Sequence, residues 1–251
     1  MSNVKKVLII SDGHSGHYAG LASKESLEKY GYLQTHQQAL IYNWFKKNVL
    51  SLGHFDLVVD NGDCIDGKGQ KSGGRELHTS DRIQQANIYC DSTSFIKTKK
   101  RIVIRGTNYH VGSDEQWEDV IAEKLKSSIK NHLWCNVGGL IIDIKHKVKG
   151  TKNTFFSKAK INNLLWAEMK GQPRADIIIR SHAHYYFEAS DGKTTAFITP
   201  ALQGWGSEYG EKECDNTVDI GFLYLEIKDK VLSFKPFLFN VESISPEVYK
   251  I

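Results

Sequence analysis

Short, largely apolar runs recur along the chain: Val7-Leu8-Ile9-Ile10, Phe55 to Val59, Ile102-Val103-Ile104 and Ile177-Ile178-Ile179. They do not alternate with polar residues, so each predicts a strand buried on both faces. Between them the period changes. Residues His36 to Leu52 place Ile41, Trp44, Phe45, Val49 and Leu52 at helical spacing, and Gly53 suits the helix end. Asp81 is positioned to cap a helix reaching about Phe95. Trp117, Ile121 and Leu125 mark one face of another helix, and Ile161, Leu164, Leu165 and Met169 mark one over Ser157 to Gly171. Gly139 to Lys145 is a further strand. The last third is strand-rich: Thr194 to Thr199, Gly221 to Ile227 and Val231 to Phe239, with a hairpin at Lys228-Asp229-Lys230. Gly67 to Ser80, rich in glycine and basic residues, is expected to be a surface loop.

This order predicts an α/β fold with ligands outside the carboxyl ends of its strands. Each strand indeed runs into a polar cluster: Asp12 and His14, then Asp63 and Asp66, then Asn108 and His110, then His146, then His182 and His184. Residues two apart in an extended segment point the same way, so each Asp-x-His or His-x-His pair is expected on one side. Taken singly, these pieces are explained by turns, helix caps or solvated histidines, and His146 sits within the basic stretch Lys145-His146-Lys147-Val148-Lys149. Taken together, imidazoles and carboxylates at one sheet edge suit zinc, iron or manganese better than calcium or magnesium.

Composition narrows the classes. The chain has 251 residues, 40% hydrophobic and 25% charged, with only four prolines and no linker-like tract, so one domain over 1–251 is expected. A formal net charge of +4 permits an anionic substrate without demanding nucleic acid. Cys64, Cys90, Cys135 and Cys214 lack the spacing of a zinc site or a disulfide framework. The run Val7 to Ile10 is too short for a signal-peptide core or a membrane span, so a cytoplasmic setting without membrane contact is expected.

The ordered set Asp12-x-His14, Gly62-Asp63-x-x-Asp66, an Asn/His block, His146 and His182-x-His184 resembles the calcineurin-like metallophosphoesterase superfamily, over about residues 7–200. The resemblance implies a four-layer αββα sandwich with two mixed sheets and two divalent metal ions (manganese, zinc or iron). By the same resemblance, Asp12, His14 and His184 would hold the first ion. Asn108, His146 and His182 would hold the second, and Asp63 would bridge them. His110 would protonate the leaving group or steady a phosphoryl oxygen, with Asp66 orienting it. The implied activity is hydrolysis of a phosphoester, foremost a phosphodiester, by a metal-bridging hydroxide. Nucleic acid and nucleotides are the substrates favoured, and phosphomonoesters or phosphoproteins the alternatives. The family pattern Gly-Asn-His departs here to Gly106-Thr107-Asn108-Tyr109-His110, a Gly-Thr-x-x-His form that resembles phage-encoded members. Either Asn108 still ligates, or it faces elsewhere and Thr107 or water takes its place. The second outcome would also suit a non-catalytic binding module.

Three surface features complete the expectations. Lys71 and Arg75 are solvated loop charges or phosphate contacts. Lys97 to Arg101 is a solvated helix terminus at the end of the sheet away from the site. Trp205 and Tyr209 either stack on a base or pack beneath a loop.

Overall fold

A computed structural model describes residues 4–112, 116–147, 174–206 and 218–240. The predicted helix over Ser157 to Gly171, together with Tyr209 and Cys214, lies outside the described residues. The apolar run near the start forms β1 (Lys5–Ile10). After it come α1 (Lys24–Glu28) and α2 (His36–Leu52). The second helix opens with a capping box, in which Thr35 and Gln38 each accept the other's backbone N–H, and closes at Gly53 with φ of 79°. β2 (Leu57–Asn61) follows, then α3 (Arg82–Thr93), whose first N–H groups at Ile83 and Gln84 donate to the Asp81 carboxylate. β3 (Arg101–Ile104), α4 (Asn108–Val111), α5 (Glu118–Lys124) and β4 (Ser128–Lys130) complete the first half.

The second half contributes β5 (Leu133–Val137), β6 (Leu140–Lys147), β7 (Ile177–Ser181), β8 (Phe187–Ser190), β9 (Thr195–Ile198), β10 (Gly221–Lys228) and β11 (Val231–Leu238). The hairpin between the last two turns on Asp229 and Lys230, both with positive φ, as a two-residue primed turn requires.

Two mixed sheets result. One has the order β11-β10-β1-β2-β3-β4 and the other β5-β6-β7-β9-β8. In the first, β1 to β4 are parallel, and in the second, β6, β7 and β9 are parallel. Alternate residues of each strand serve different cores. Val7, Ile9, Val59 and Ile104 meet Ile142, Ile144, Ile177 and Ile179 between the sheets. Leu8, Ile10, Val58 and Val103 pack instead against Phe45, Val49, Ala86, Tyr89 and Ile121 of α2, α3 and α5. Hence the runs do not alternate, and each buried aliphatic contributes roughly 1.5–3 kcal/mol. The described residues therefore form an α/β sandwich with one helical layer and two sheets.

Several expectations shift. The strand predicted at Phe55 to Val59 starts at Leu57 and continues through Asn61, and Phe55 makes only a bridge to Thr98. Gly67 to Ser80 is not wholly a surface loop, since Leu77 is buried and pairs with His17. Arg101 is not part of a solvated helix terminus. Its side chain is only 8% exposed and makes a two-pronged ion pair with Asp60 at 2.7 Å, while Lys99 pairs with Asp56. The helix before it ends at Thr93, so the cations lie beyond its last turn. No helix among the described residues is long and apolar enough to cross a membrane.

Candidate metal centre

The carboxyl ends of β1, β2, β6 and β7 converge. Asp12 N–H donates to the Gly62 carbonyl (2.9 Å) and His14 N–H to the Asp63 carbonyl (3.0 Å), locking the turns after β1 and β2 together. Gly13 lies so close to the Tyr89 ring that a Cβ there would sit 2.9 Å from it. A Cβ on Gly62 would collide with the His146 ring at 2.5 Å. His146 belongs to β6, at a register shift against β7 between Ile144 and Lys147. Such a bulge re-aims a side chain.

The pairs do not converge by extended alternation. Asp12, His14, Asp63, His182 and His184 all take left-handed backbone, with φ of 50°, 43°, 51°, 74° and 55°. Each such conformation costs on the order of 1–3 kcal/mol outside glycine, and it persists only where the surroundings impose it. Tight turns rather than strand pleats bring the side chains inward.

Two principal groups of donors form. Asp12, His14 and His184 make one, with His14 Nε2 3.2 Å from His184 Nε2 and His184 Nε2 3.3 Å from Asp12 Oδ1. Asp12, Asp63, His146 and His182 make the other, with His146 Nε2 2.9 Å and His182 Nδ1 3.6 Å from Asp63 Oδ2. A third group joins His14 and Asp63 to His110. In each group the donor atoms lie within 4.8 Å of one another. Asp12 thus belongs to both principal groups. The carboxylates are fully buried, whereas His184 and His182 side chains are 23% and 39% exposed, so the centre opens to solvent through its imidazoles.

The hydrogen bonds fix the ring nitrogens. His146 Nδ1 donates to the Asn61 carbonyl at 2.6 Å, so Nε2 of the neutral ring carries a lone pair towards Asp63 Oδ2. His14 Nδ1 donates to the Asp66 carboxylate at 3.1 Å, leaving Nε2 as an acceptor that faces His184. His146 Nε2 and Asp63 Oδ2, two acceptors face to face, need a proton or a cation between them. Asp12 Oδ1 adds a buried oxygen with no hydrogen bond. Burial alone would raise the Asp12 and Asp63 carboxyls, but the neighbouring imidazoles (His184 and His146 at Asp12; His146 and His110 at Asp63) outweigh it and hold both below the ordinary range. At His146 burial disfavours the charged ring, yet Asp63 and Asp12 push it up to about 10. His14 is lowered to about 4, by burial first and then by His110. A site this rich in ionised carboxylates, mixed with imidazoles, fits a divalent transition metal.

The remaining expected residues fall as follows. Asp66 supports two rings, His14 through its carboxylate and His110 through its main-chain carbonyl, which accepts from Nδ1 at 2.8 Å. The His110 and His14 rings meet edge to face with centroids 4.4 Å apart. Asn108 is exposed at the start of α4, and Thr107 instead approaches the centre. Its N–H and Oγ1 reach Asp63 Oδ1 at 2.6 and 3.1 Å. Arg75 is exposed and bonds the Ser72 carbonyl, and Trp205 stacks on Phe239. Ser11, Ser15 and Ser181 bond to Thr199, Leu21 and Asn61, so none is paired with a histidine in these bonds.

Glu118 escaped sequence reasoning. It is buried in the first turn of α5, and its two oxygens accept the N–H groups of Cys64 (3.0 Å) and Gly106 (2.6 Å). It therefore ties the turn carrying Asp63 to the turn carrying Thr107. Burial and the Asp63 charge raise its carboxyl to about 7, against the opposing pull of those two N–H groups. An acid in a helix's first turn is ordinarily a surface preference, which hid it.

No family model matches the chain, and no curated protein does so either. Among solved structures, a "predicted phosphoesterase" from Streptococcus pneumoniae is 12% identical, covering 94% of this chain and 90% of its own, with a TM-score of 0.44. A novel archaeal phosphodiesterase is 13% identical over 92% of this chain and 99% of its own, with a TM-score of 0.47. Vps29 of Entamoeba histolytica, solved with Zn²⁺, is 14% identical over 94% and 99%, with a TM-score of 0.44. At these TM-scores the similarity says nothing about activity.

Proposed function

We propose that this chain is a calcineurin-like metallophosphoesterase, a metal-dependent hydrolase of phosphoesters, with phosphodiesters of nucleotides or nucleic acid as its substrates. One observation carries the reading: six carboxylate and imidazole side chains from four strand ends, five of them on left-handed backbone, meet at one rim with an orphaned buried oxygen among them. Asp12, His14 and His184 would hold one divalent cation, and Asp63, His146 and His182, with Asp12 alongside, a second. Cations held there would neutralise the phosphoester anion and acidify a coordinated water.

The chain's own residues do the rest. The half-exposed His182 and His184 form the mouth through which a phosphate approaches. Asp66 fixes His110 by accepting from Nδ1, so Nε2 is the atom that delivers a proton to the leaving oxygen. Asp66 also fixes His14, whose ring packs edge to face against that of His110. Glu118 and Thr107 hold Asp63 in place from behind.

A second reading is a binding module that retains the fold and a cation. The exposure of Asn108 favours it, because Thr107 replaces an amide donor with a weaker hydroxyl. Hydrolysis of bis(p-nitrophenyl) phosphate and of the monoester, each with Mn²⁺, Zn²⁺ or Fe²⁺ and with chelator, separates the two. Metal-dependent turnover favouring the diester supports the phosphodiesterase. Cation binding without turnover of either ester supports the module.

A further inference from the structure

Three of the strand ends that carry metal donors have a buried polar residue just before the donor turn: Ser11 before Asp12, Asn61 before Gly62-Asp63, and Ser181 before His182. A fourth buried residue, Thr199, follows β9. These four side chains form one run of contacts. Asn61 Nδ2 lies 2.6 Å from Ser181 Oγ, Ser181 Oγ lies 2.6 Å from Thr199 Oγ1, and Thr199 Oγ1 lies 2.8 Å from Ser11 Oγ. Ser11 Oγ in turn donates to the Pro200 carbonyl at 3.2 Å. Ser11 and Asn61 end strands of the first sheet, whereas Ser181 and Thr199 end strands of the second. The run therefore crosses the gap between the sheets twice.

The protons in this run point one way. The Pro200 carbonyl can only accept, so Ser11 spends its hydroxyl proton there. Ser11 Oγ then accepts from Thr199, Thr199 accepts from Ser181, and Ser181 accepts from the Asn61 amide. The same Asn61 nitrogen faces the Lys145 carbonyl at 3.4 Å, which fixes the amide's orientation. Each hydroxyl thus donates once and accepts once. Without the Thr199 hydroxyl, a buried donor on Ser181 and a buried acceptor on Ser11 would both lose their partner. Both principal donor groups draw on both sheets. Asp12, His14 and Asp63 follow strands of the first, while His146, His182 and His184 lie on or after strands of the second. The width of the gap at this rim therefore sets the spacing of the donors.

We propose that Thr199 is a positioning residue for the metal centre: its hydroxyl, shared between Ser181 and Ser11, holds the turn carrying His182 at ligand distance from Asp12 and Asp63. Thr199 is far in sequence from every donor, so it acts through Ser11 and Ser181 alone. Its own N–H is committed to the Arg180 carbonyl at 2.8 Å, which anchors its backbone independently of the side chain. Groups that support metal ligands in this way change cation affinity about 10–100-fold when removed. The inference rests on reading this rim as a metal centre and requires no turnover.

The test is calorimetric titration of the full chain with Mn²⁺, in the parent, Thr199→Val and Thr199→Ser, with the melting temperature of each in chelator. Valine keeps the shape and loses the hydroxyl, and serine keeps the hydroxyl and loses a methyl group. Thr199→Val is expected to weaken Mn²⁺ binding about tenfold or more while still folded, and Thr199→Ser to stay within about threefold of the parent. A merely structural role would lower the melting temperature of Thr199→Val and leave its Mn²⁺ affinity within about twofold of the parent, which would overturn the proposal. Equal losses in the two variants, or a larger loss in Thr199→Ser, would overturn it as well, because packing and not the hydroxyl would then be responsible. If Thr199→Val does not fold, Ser11→Ala removes the other end of the same bond and is judged by the same loss of affinity. A parent that binds no Mn²⁺ would overturn the metal-centre reading together with this inference, whereas parent binding that Thr199→Val leaves unaltered would overturn this inference alone.

Discussion

His146 Nε2 lies 2.9 Å from Asp63 Oδ2 while the opposite ring nitrogen is committed to the Asn61 carbonyl at 2.6 Å. With the Nδ1 proton fixed, Nε2 faces the carboxylate as a base unless something positive lies between them. In the absence of a metal that is a proton, which is why the ring is pushed up to about 10. A cation competes with that proton, so binding releases it. His146→Ala is expected to weaken Mn²⁺ binding by at least about tenfold. Calorimetry of the parent in two buffers of different ionisation enthalpy reads the proton released. Equal heats in the two buffers would contradict the arrangement.

Thr107 rather than Asn108 touches Asp63. Thr107→Ala removes a hydroxyl from a buried carboxylate, a contact worth roughly 1.5–3 kcal/mol. Cation affinity or turnover should fall by about tenfold or more. Asn108→Ala, at an exposed position, should stay within about twofold. The reverse order of effects would show that the amide reaches the centre when a cation is bound.

Glu118 joins two turns through two buried N–H groups. In Glu118→Gln one of those groups faces an amide NH₂ instead of an oxygen, at a cost of about 1–3 kcal/mol. Urea denaturation should show a lowered midpoint with an unchanged slope. The parent should also carry a pH signature in chelator. The Glu118 carboxyl is raised from 4.5 to about 7 in the folded state, so the folded protein holds more protons than the unfolded one between those values. Its contribution to stability is therefore full below pH 4.5 and declines as pH rises through about 7. The difference between parent and Glu118→Gln should narrow over that window as pH increases.

Asp60 is buried and held by both Arg101 prongs and the Tyr89 hydroxyl. Arg101→Met strands that carboxylate, and removing one partner of a buried pair costs about 3–5 kcal/mol. Arg101→Lys should recover only part of the loss, because an ammonium cannot reproduce the two-pronged contact. Thermal or urea unfolding of the two variants measures this. Equal stability of parent and Arg101→Met would mean that Asp60 is adequately supported by Tyr89 alone.

Much of the scaffold was legible because strands buried on both faces leave an unbroken apolar signal, as at Val7 to Ile10 and Ile177 to Ile179. The donors were legible from residue type and order after those strands. The short strands β4 and β8 were not, since their residues alternate between exposed and half-buried and carry no long apolar run. The left-handed turns at Asp12, His14 and His184 were hidden too. Aspartate and histidine adopt that backbone only where contacts impose it, and those contacts, such as His14 N–H to the Asp63 carbonyl, join distant segments. Arg101 looked like a solvated charge, and Glu118 gave no signal, for the same reason. Their partners, Asp60 and the Cys64 N–H, are 41 and 54 residues away.

The most direct test of the account is hydrolysis of bis(p-nitrophenyl) phosphate with added Mn²⁺ by the parent and by Asp63→Asn, alongside the melting temperature of each. The account predicts turnover that chelator abolishes and manganese restores, and a loss of at least about 100-fold in Asp63→Asn while the variant stays folded. Turnover that survives in Asp63→Asn, or that chelator leaves untouched, would contradict it.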